Sequence, residues 1–153
     1  MNAMRILPLV FGGLVVAVAA GAVWFAVSAT GTLPDGPVDV IWDKAACAHC
    51  SMHMGEPAFA AQLTTTAGET MLFDDPGCLF LHVAAARPPV HAAWFHHMHE
   101  DRWIAAAAVA FAPTSPTPMG FGWGAVDADT AGAVGLEVAR DRVLQGVNPP
   151  EAR

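Results

Sequence analysis

Positive charge is what this sequence has least of. Lysine occurs once, at Lys44, and acidic side chains outnumber Lys and Arg by 14 to 7, which gives a formal net charge of −7. A nucleic-acid-binding surface needs a basic patch to neutralise phosphates, so a general nucleic-acid role is disfavoured. An acidic surface instead repels anionic lipids and concentrates cations. The composition is therefore biased towards cationic partners, without identifying one.

The sequence also lacks the motifs that catalysis usually requires. It contains no pairing of a nucleophile with a base and no glycine-rich loop of the phosphate-binding kind. Covalent haem attachment needs His directly after the second Cys of a Cys-x2-Cys pair, and Ser51 stands there. We therefore predict that the chain is not an enzyme and carries no covalently attached haem.

The segment from Ile6 to Val27 is mostly apolar and contains no charged residue, and Arg5 directly precedes it. A helix of this length spans about 33 Å, close to the thickness of a bilayer core. The positive residue on the short flank favours an orientation with the rest of the chain outside the cytoplasm. The alternatives are a core helix and a signal peptide cleaved after Val27-Ser28-Ala29, although the run is long for a signal peptide. We predict an uncleaved membrane anchor over residues 1–29, with the remainder outside the cytoplasm.

The exported part divides into a linker, a domain and a tail. Glycine and proline mark residues 30–41 as a linker, followed by a domain over 42–147 and a tail over 148–153. Within the domain, β-forming residues predict strands over 59–66, 70–73 and 90–97, with a turn at Ala67-Gly68. The sequence Asp74-Asp75-Pro76 predicts the start of a helix that ends before Pro88.

A similar pattern follows in the second half of the domain. An apolar run predicts a strand over 103–111 and a further strand over 121–126, and Asp127 to Asp129 predict the cap of a helix over 130–144. The order of strand, acidic residue and helix thus occurs twice. We predict an α+β body of two related strand–strand–helix units.

The densest cluster of reactive side chains runs from Cys47 to Met54 and reads Cys-Ala-His-Cys-Ser-Met-His-Met. Thiolates and thioethers are soft donors that favour Cu(I) over hard cations. In an extended chain Cys50, Met52 and Met54 point to the same side, because side chains alternate along a strand. The segment therefore predicts a Cu(I) site.

Several other interpretations of Cys47 and Cys50 remain open. The pair is compatible with a structural disulfide, with a thiol–disulfide oxidoreductase, and with a zinc site completed by two histidines. Three cysteines in an oxidising compartment leave at least one thiol unpaired, or several held reduced for chemistry. None of these alternatives requires the neighbouring thioethers, so we favour copper over them and over a non-metal scaffold with a disulfide.

Met119 lies in a second loop of interest, Thr117-Pro118-Met119-Gly120-Phe121-Gly122. A methionine beside aromatic residues is more often a packing residue than a ligand. Placed against the cysteine segment, it would supply a third or fourth soft donor. Whether the two loops meet depends on the tertiary structure.

Four motifs, taken in their order along the chain, resemble the NosL family of nitrous oxide reductase accessory proteins. They are Cys47-x2-Cys50-x-Met52, Phe59-Ala60-Ala61-Gln62, Phe73-Asp74-Asp75-Pro76-Gly77-Cys78 and Thr117-Pro118-Met119-Gly120. The resemblance implies a NosL-like fold, shared with organomercurial lyase, of two ββαβ-type units. It also implies a Cu(I) carrier that serves nitrous oxide reductase together with the membrane machinery for its maturation.

The resemblance further implies which residues bind copper. The Cys-x-Met element of the family falls on Cys50 and Met52, its Thr-Pro-Met-Gly element falls on Met119, and Cys47 matches a position that is often Cys in relatives. The chain departs from the family in three respects. It has no lipobox cysteine after the apolar run, and Ser51 stands where glycine commonly separates the Cys from the Met. The element His96-His97-Met98-His99 stands where relatives tend to carry acidic and turn residues.

Other reactive side chains have simpler interpretations. Asp74 and Asp75 precede a proline, which favours a capping role over a paired-carboxylate catalytic site. Cys78 and His82 fall inside the predicted helix, so we expect Cys78 to be a buried apolar residue and His82 to be in the core or partly exposed. For the element His96-His97-Met98-His99 we favour an exposed strand end over a Cu(II)-binding histidine pair.

Overall fold

A computed structural model describes residues 33–147 together with Ala20, Gly21 and Pro149. The chain divides into two compact units, 1–32 and 33–153, and nearly all described residues belong to the second. No helix within the described residues is long and apolar enough to cross a membrane. Except for Ala20 and Gly21, the anchor predicted from Ile6 to Val27 lies outside the described residues, and it stays a prediction.

The first sheet contains four antiparallel strands in the order β2-β1-β3-β4. The strands are β1 Ala61–Thr65, β2 Thr70–Phe73, β3 Val90–His96 and β4 Trp103–Ala105, and a short 3-10 helix, Pro57–Phe59, precedes them. Strand β1 lies inside the sheet, so all five of its residues are buried. The strands that the sequence predicts over 59–66, 70–73 and 90–97 are confirmed to within two residues at each end.

Helix α1, Pro76–Ala86, begins where its cap signal predicts. The Asp75 carboxylate accepts a hydrogen bond from the backbone N–H of Gly77 at 2.8 Å, and Pro76 occupies the first helical position. Arg87 ends the helix in a left-handed conformation, directly before Pro88. The capping role of Asp75 is therefore confirmed.

The second sheet contains three strands in the order β6-β5-β7. The strands are β5 Val109–Pro113, β6 Trp123–Asp127 and β7 Val134–Gly135, and helix α2, Leu136–Leu144, follows them. The two helices pack against each other. The described body is therefore α+β, with two small sheets and two helices.

The single strand predicted over 103–111 is wrong. The chain turns between Ala105 and Ala108, whose backbone N–H donates to the Ala105 carbonyl oxygen at 2.9 Å. Strand β4 before the turn pairs in the first sheet, and β5 after it pairs in the second. The turn consists of alanines, so the local sequence carries none of the glycine, proline or asparagine that usually marks one.

The helix predicted to begin at Thr130 starts six residues later, and Asp127 does not cap it. Asp127 pairs with Val109 at the end of β6, and its carboxylate binds the Arg102 guanidinium. Turns and strand β7 occupy the intervening residues. The second unit is consequently β-β-β-α, whereas the first has the predicted ββαβ order.

Three phenylalanines connect the layers. Phe80 of α1, Phe95 of β3 and Phe111 of β5 are all buried, with ring centroids 5.0 to 5.9 Å apart. Each ring comes from a different helix or sheet, so burying them joins both sheets to α1. This core holds the N-terminal end of α1 in place, where the reactive side chains converge.

Candidate metal centre

The cysteine segment folds into a tight hairpin rather than an extended strand. The backbone N–H of Cys47 donates to the Met52 carbonyl oxygen at 2.8 Å, and the Ser51 N–H donates to the Cys47 carbonyl at 2.9 Å. Ser51 has a φ of 65°, in the left-handed region that favours glycine. The predicted common face of Cys50, Met52 and Met54 is therefore wrong, because the turn interrupts the alternation of side chains.

A backbone hydrogen bond places this hairpin on the first sheet. The N–H of Ala48 donates to the carbonyl oxygen of Leu72 in β2 at 2.8 Å. Strand β2 ends one residue later, and the chain continues through Asp74 into α1. The two cysteines of the hairpin therefore lie beside the start of that helix.

Four side chains converge at this point. The ligand atoms of Cys47, Cys50, Asp74 and Cys78 all lie within 4.8 Å of one another, and all three cysteines are free. Cys47, Asp74 and Cys78 are buried, and Cys50 is partly exposed. This geometry suits one metal ion held by three sulfurs and reached from the side of Cys50.

Hydrogen bonds and burial within the cluster give the three thiols different pKa values. The pKa of Cys47 is lowered to about 6, chiefly because the Cys78 thiol donates a hydrogen bond to it. The same interaction raises the pKa of Cys78, and burial adds to that effect. Burial also raises the pKa of Cys50. Cys47 is therefore the most acidic of the three thiols.

Asp74 completes the cluster in a role that the sequence did not predict. The Cys50 thiol donates to its carboxylate, at 3.5 Å from Sγ to Oδ1 and 3.7 Å to Oδ2. Asp75 caps α1, whereas Asp74 accepts the hydrogen bond from Cys50, so the two adjacent carboxylates have different roles. Asp74 therefore contacts the one partly exposed cysteine of the cluster.

Asp75 connects this centre to the loop of Met119. Its Oδ1 atom caps α1 at Gly77, and its Oδ2 atom accepts a hydrogen bond from the backbone N–H of Met119 at 3.2 Å. A Cβ atom at Gly77 would overlap the ring of Phe121, so glycine lets this loop pack on the helix. The two loops that the sequence singled out therefore lie at the same end of α1.

The structure places the four predicted ligands at different depths. Cys47 and Cys50 lie together in the cluster, and Met119 is partly buried against the same core. Met52 lies at the turn of the hairpin with 51 % of its surface exposed, whereas Met54 is buried. Copper binding by these residues stays a prediction.

Sequence reasoning missed Asp74 as a candidate ligand and, for Cys78, favoured a buried core position over metal ligation. Cys78 is fully buried and packs in the core as predicted, yet its sulfur also reaches the cluster. The signal that pointed to both was present in the motif Phe73-Asp74-Asp75-Pro76-Gly77-Cys78. Apart from its resemblance to a NosL motif, it indicated only the start of a helix, because local sequence does not report which residues approach from a distant loop.

The histidine-rich element is not the exposed strand end that we expected. His96 and His97 are both buried, at 5 and 6 % exposure. The ligand atoms of His97, Glu100 and Asp127 lie within 4.8 Å of one another and form a second cluster. His82 is partly exposed, and its ring lies 5.3 Å from that of Phe73 between centroids.

No protein-family model matches the sequence, and a search of curated proteins gives no match either. Among solved structures, the fold is similar to the crystal structure of the copper chaperone NosL from Shewanella denitrificans, with a TM-score of 0.51. The sequences are 18 % identical, and the match covers 78 % of this chain and 94 % of that one. At this identity the similarity applies to the fold. The described body of this chain therefore has a NosL-like fold.

Proposed function

We propose that the chain is a Cu(I)-binding metallochaperone whose centre is the cluster at the start of α1. The supporting observation is the convergence of Cys47, Cys50 and Cys78, with Asp74, within 4.8 Å. Soft sulfur ligands favour Cu(I), and a partly exposed ligand allows the ion to enter and leave. Copper is the cargo in this proposal, so the site must bind Cu(I) tightly enough to collect it and still release it to a partner.

Met52 and Met119 are the thioether ligands in this proposal, and they have different roles. Met119 completes the site in this proposal, and its backbone N–H donates to Asp75, the residue after Asp74. Met52 directly follows the turn of the hairpin and is half exposed, so an incoming ligand from another protein can replace it. Thioethers bind more weakly than thiolates, which suits transfer by ligand exchange.

The client and the location are also part of the proposal. Copper is received in the periplasm by a domain that its N-terminal segment anchors to the inner membrane. It is then delivered to the maturation machinery of nitrous oxide reductase, and finally to the reductase. The resemblance of the four sequence motifs and the NosL-like fold both support this assignment.

One rival function has a specific observation in its favour. The lowered pKa of Cys47 would also suit a thiol–disulfide oxidoreductase, since the thiolate is the attacking species. However, Cys47 is only 2 % exposed, so a substrate disulfide could not reach it without opening the hairpin. A zinc site remains the other rival, because three thiolates and a carboxylate are also suitable for Zn²⁺.

The first experiment is an anaerobic Cu(I) competition titration of the reduced full chain in mild detergent, followed by competition with Zn²⁺. The variants are Cys50→Ser and Met52→Leu, and Met71→Leu is the matched control because Met71 packs against the core of the first sheet. We expect one tightly bound Cu(I) that Zn²⁺ does not displace. Both site substitutions should weaken it, and the control should not.

Three other results would each contradict the proposal. If no Cu(I) binds, the cluster is not a copper site. If Zn²⁺ displaces Cu(I), the centre is a zinc site. If reduced chain turns over a substrate disulfide without copper, and Met52→Leu has no effect on copper affinity, the oxidoreductase is favoured instead.

A further inference from the structure

Cys50 is the cysteine of the centre that a small molecule from solution can reach. Its side chain is partly exposed, whereas Cys47 and Cys78 are only 2 % and 0 % exposed. All three cysteines are free. An oxidant that approaches the centre therefore meets Cys50 first.

The backbone of the hairpin places Cys47 where it can react with an oxidised Cys50. The Ser51 N–H donates to the Cys47 carbonyl oxygen at 2.9 Å, which closes a single helical turn over residues 48–50. Residues three apart in such a turn are about 5 Å apart between Cα atoms, and disulfides usually span about 4.4–6.8 Å between the same atoms. The two residues therefore have a backbone separation that suits a disulfide.

The sulfur atoms of this pair are also near enough to join. They lie within 4.8 Å of each other, and an S–S bond of about 2.05 Å forms after a side-chain rotation. The Cys50 thiol is held by its hydrogen bond to Asp74, at 3.5 Å from Sγ to Oδ1. Loss of this contact frees the partly exposed Cys50 side chain to rotate towards Cys47.

Cys78 is less well placed to react with Cys50. Hydrogen bonding to Cys47 raises the pKa of both Cys50 and Cys78, whereas Cys50 acts on Cys78 through charge. Cys47 thus lies between the other two sulfurs. Cys78 also lies in the first turn of α1 and packs in the core, so its backbone cannot approach Cys50 without moving the helix.

We propose that Cys47 and Cys50 form a redox switch, in which a low-molecular-weight disulfide such as oxidised glutathione joins them in a disulfide that abolishes copper binding. The Cys50 sulfur attacks one sulfur of the oxidant, which leaves a mixed disulfide on Cys50 and releases one glutathione thiol. The Cys47 sulfur then attacks the Cys50 sulfur, forms the protein disulfide and releases the second glutathione thiol. Two protein thiols are oxidised, one glutathione disulfide is reduced, and the two thiol protons end on the released glutathione.

Bound copper and the disulfide exclude each other in this switch, which rests on the proposed function because it regulates the same centre. The thiolate is the form of cysteine that binds metals, and a sulfur in a disulfide is no longer a thiolate. Oxidation therefore removes two of the three sulfur ligands and leaves Cys78 with Asp74. Conversely, Cu(I) held by Cys47 and Cys50 prevents their attack on the oxidant. The centre thus collects copper only while it is reduced.

Oxidation of the metal-free chain tests the chemistry without copper. The reduced full chain in mild detergent is treated anaerobically with oxidised glutathione and then denatured in iodoacetamide, which alkylates the remaining thiols. The disulfide is next reduced and labelled with N-ethylmaleimide. Mass spectrometry should find N-ethylmaleimide on Cys47 and Cys50 and the iodoacetamide label on Cys78, with one equivalent of oxidised glutathione consumed. No disulfide, or a disulfide that includes Cys78, would overturn the proposal.

Single substitutions test the order of the two steps. Cys50→Ser should stop the reaction, and Cys47→Ser should leave glutathione attached to Cys50, because the second step is then blocked. Cys78→Ser is the matched control and should still form the disulfide. Circular dichroism establishes that each variant is folded. Oxidation of Cys50→Ser at the rate of the unsubstituted chain, or no glutathione adduct on Cys47→Ser, would contradict the proposed order.

A Cu(I) competition titration of the two redox forms tests the regulation. Tight Cu(I) binding should be lost in the oxidised chain and return after reduction and removal of the reductant. The Cu(I)-loaded chain should resist oxidised glutathione. Copper binding that survives oxidation would overturn the switch alone. A reduced chain that binds no Cu(I) would overturn the proposed function and, with it, the regulation of copper binding.

Discussion

The thiol of Cys50 donates a hydrogen bond to the carboxylate of Asp74, a residue 24 positions later in the chain. This contact links the tip of the cysteine hairpin to the start of α1. The negative charge of Asp74 adds to the raised pKa of Cys50, which is caused first by burial. The chemistry of the centre therefore depends on a residue that has no sulfur.

Replacement of Asp74 should make Cys50 more reactive. The pKa of Cys50 is raised first by burial, and the negative charge of Asp74 adds to the effect. In Asp74→Asn that charge is lost, so the pKa should fall and alkylation by iodoacetamide at pH 8 should become faster. Tandem mass spectrometry of the metal-free reduced protein distinguishes Cys50 from Cys47. Asp43→Asn is the control, and an equal increase there would contradict this prediction.

Cys78 should control the ionisation of Cys47. In the reduced, metal-free protein we expect a thiolate absorbance that titrates at about pH 6, because the Cys78 thiol donates to Cys47. Cys78→Ala removes the donor and should raise this midpoint, whereas Cys78→Ser keeps an O–H donor and should raise it less. Identical midpoints in wild type and Cys78→Ala would show that the hydrogen bond is unimportant.

The same shift has a consequence for stability. The folded pKa of Cys47 is about 6 against an ordinary value of 9.0, so its ionisation stabilises the folded chain. This contribution is fully present above pH 9 and decreases as the pH falls to about 6. Urea unfolding of the reduced protein at pH 6 and pH 9 measures it, and the pH dependence should be smaller in Cys78→Ala.

Gly77 should be intolerant of any side chain. A Cβ atom there would overlap the Phe121 ring, so Gly77→Ala must displace the loop that contains Met119. Overpacking of this kind costs about 1–3 kcal/mol, which thermal unfolding can measure. Gly135→Ala is the matched control, because a Cβ atom at Gly135 meets nothing within 4 Å. A loss of stability in the control equal to that of Gly77→Ala would exclude the steric explanation.

Substitution of Asp75 should distinguish the roles of its two carboxylate oxygens, one of which caps α1 while the other binds the Met119 N–H. Asp75→Asn keeps an oxygen for the Gly77 amide but replaces the acceptor of the Met119 N–H with a donor. One lost hydrogen bond is worth about 1 kcal/mol, so amide exchange at Met119 should become roughly fivefold faster. Exchange at Gly77 should stay slow in Asp75→Asn and become fast in Asp75→Ala. Equal protection of Met119 in wild type and Asp75→Asn would contradict this.

Helix α1 and the pair of strands β1 and β2 before it could be predicted from sequence because their signals are local. An acidic cap followed by proline starts the helix at Pro76, and a glycine turn separates two β-forming runs. The same reasoning was wrong for α2, since Asp127 is the end of a strand and a partner of Arg102. An acidic residue after a strand predicts a cap only where no distant cation competes for it.

The sequence by itself determined which side chains are available: three thiols, the neighbouring thioethers and the order of the motifs that contain them. Only the tertiary structure decided which of them meet. Cys47 and Cys50 come together with Asp74 and Cys78 because a hairpin docks on β2 where α1 begins. The Met119 loop is brought to the same end of α1 by a hydrogen bond to Asp75 that spans 44 residues. Caps and turns act over a few residues, whereas a metal centre is assembled by the burial of a core that distant segments share.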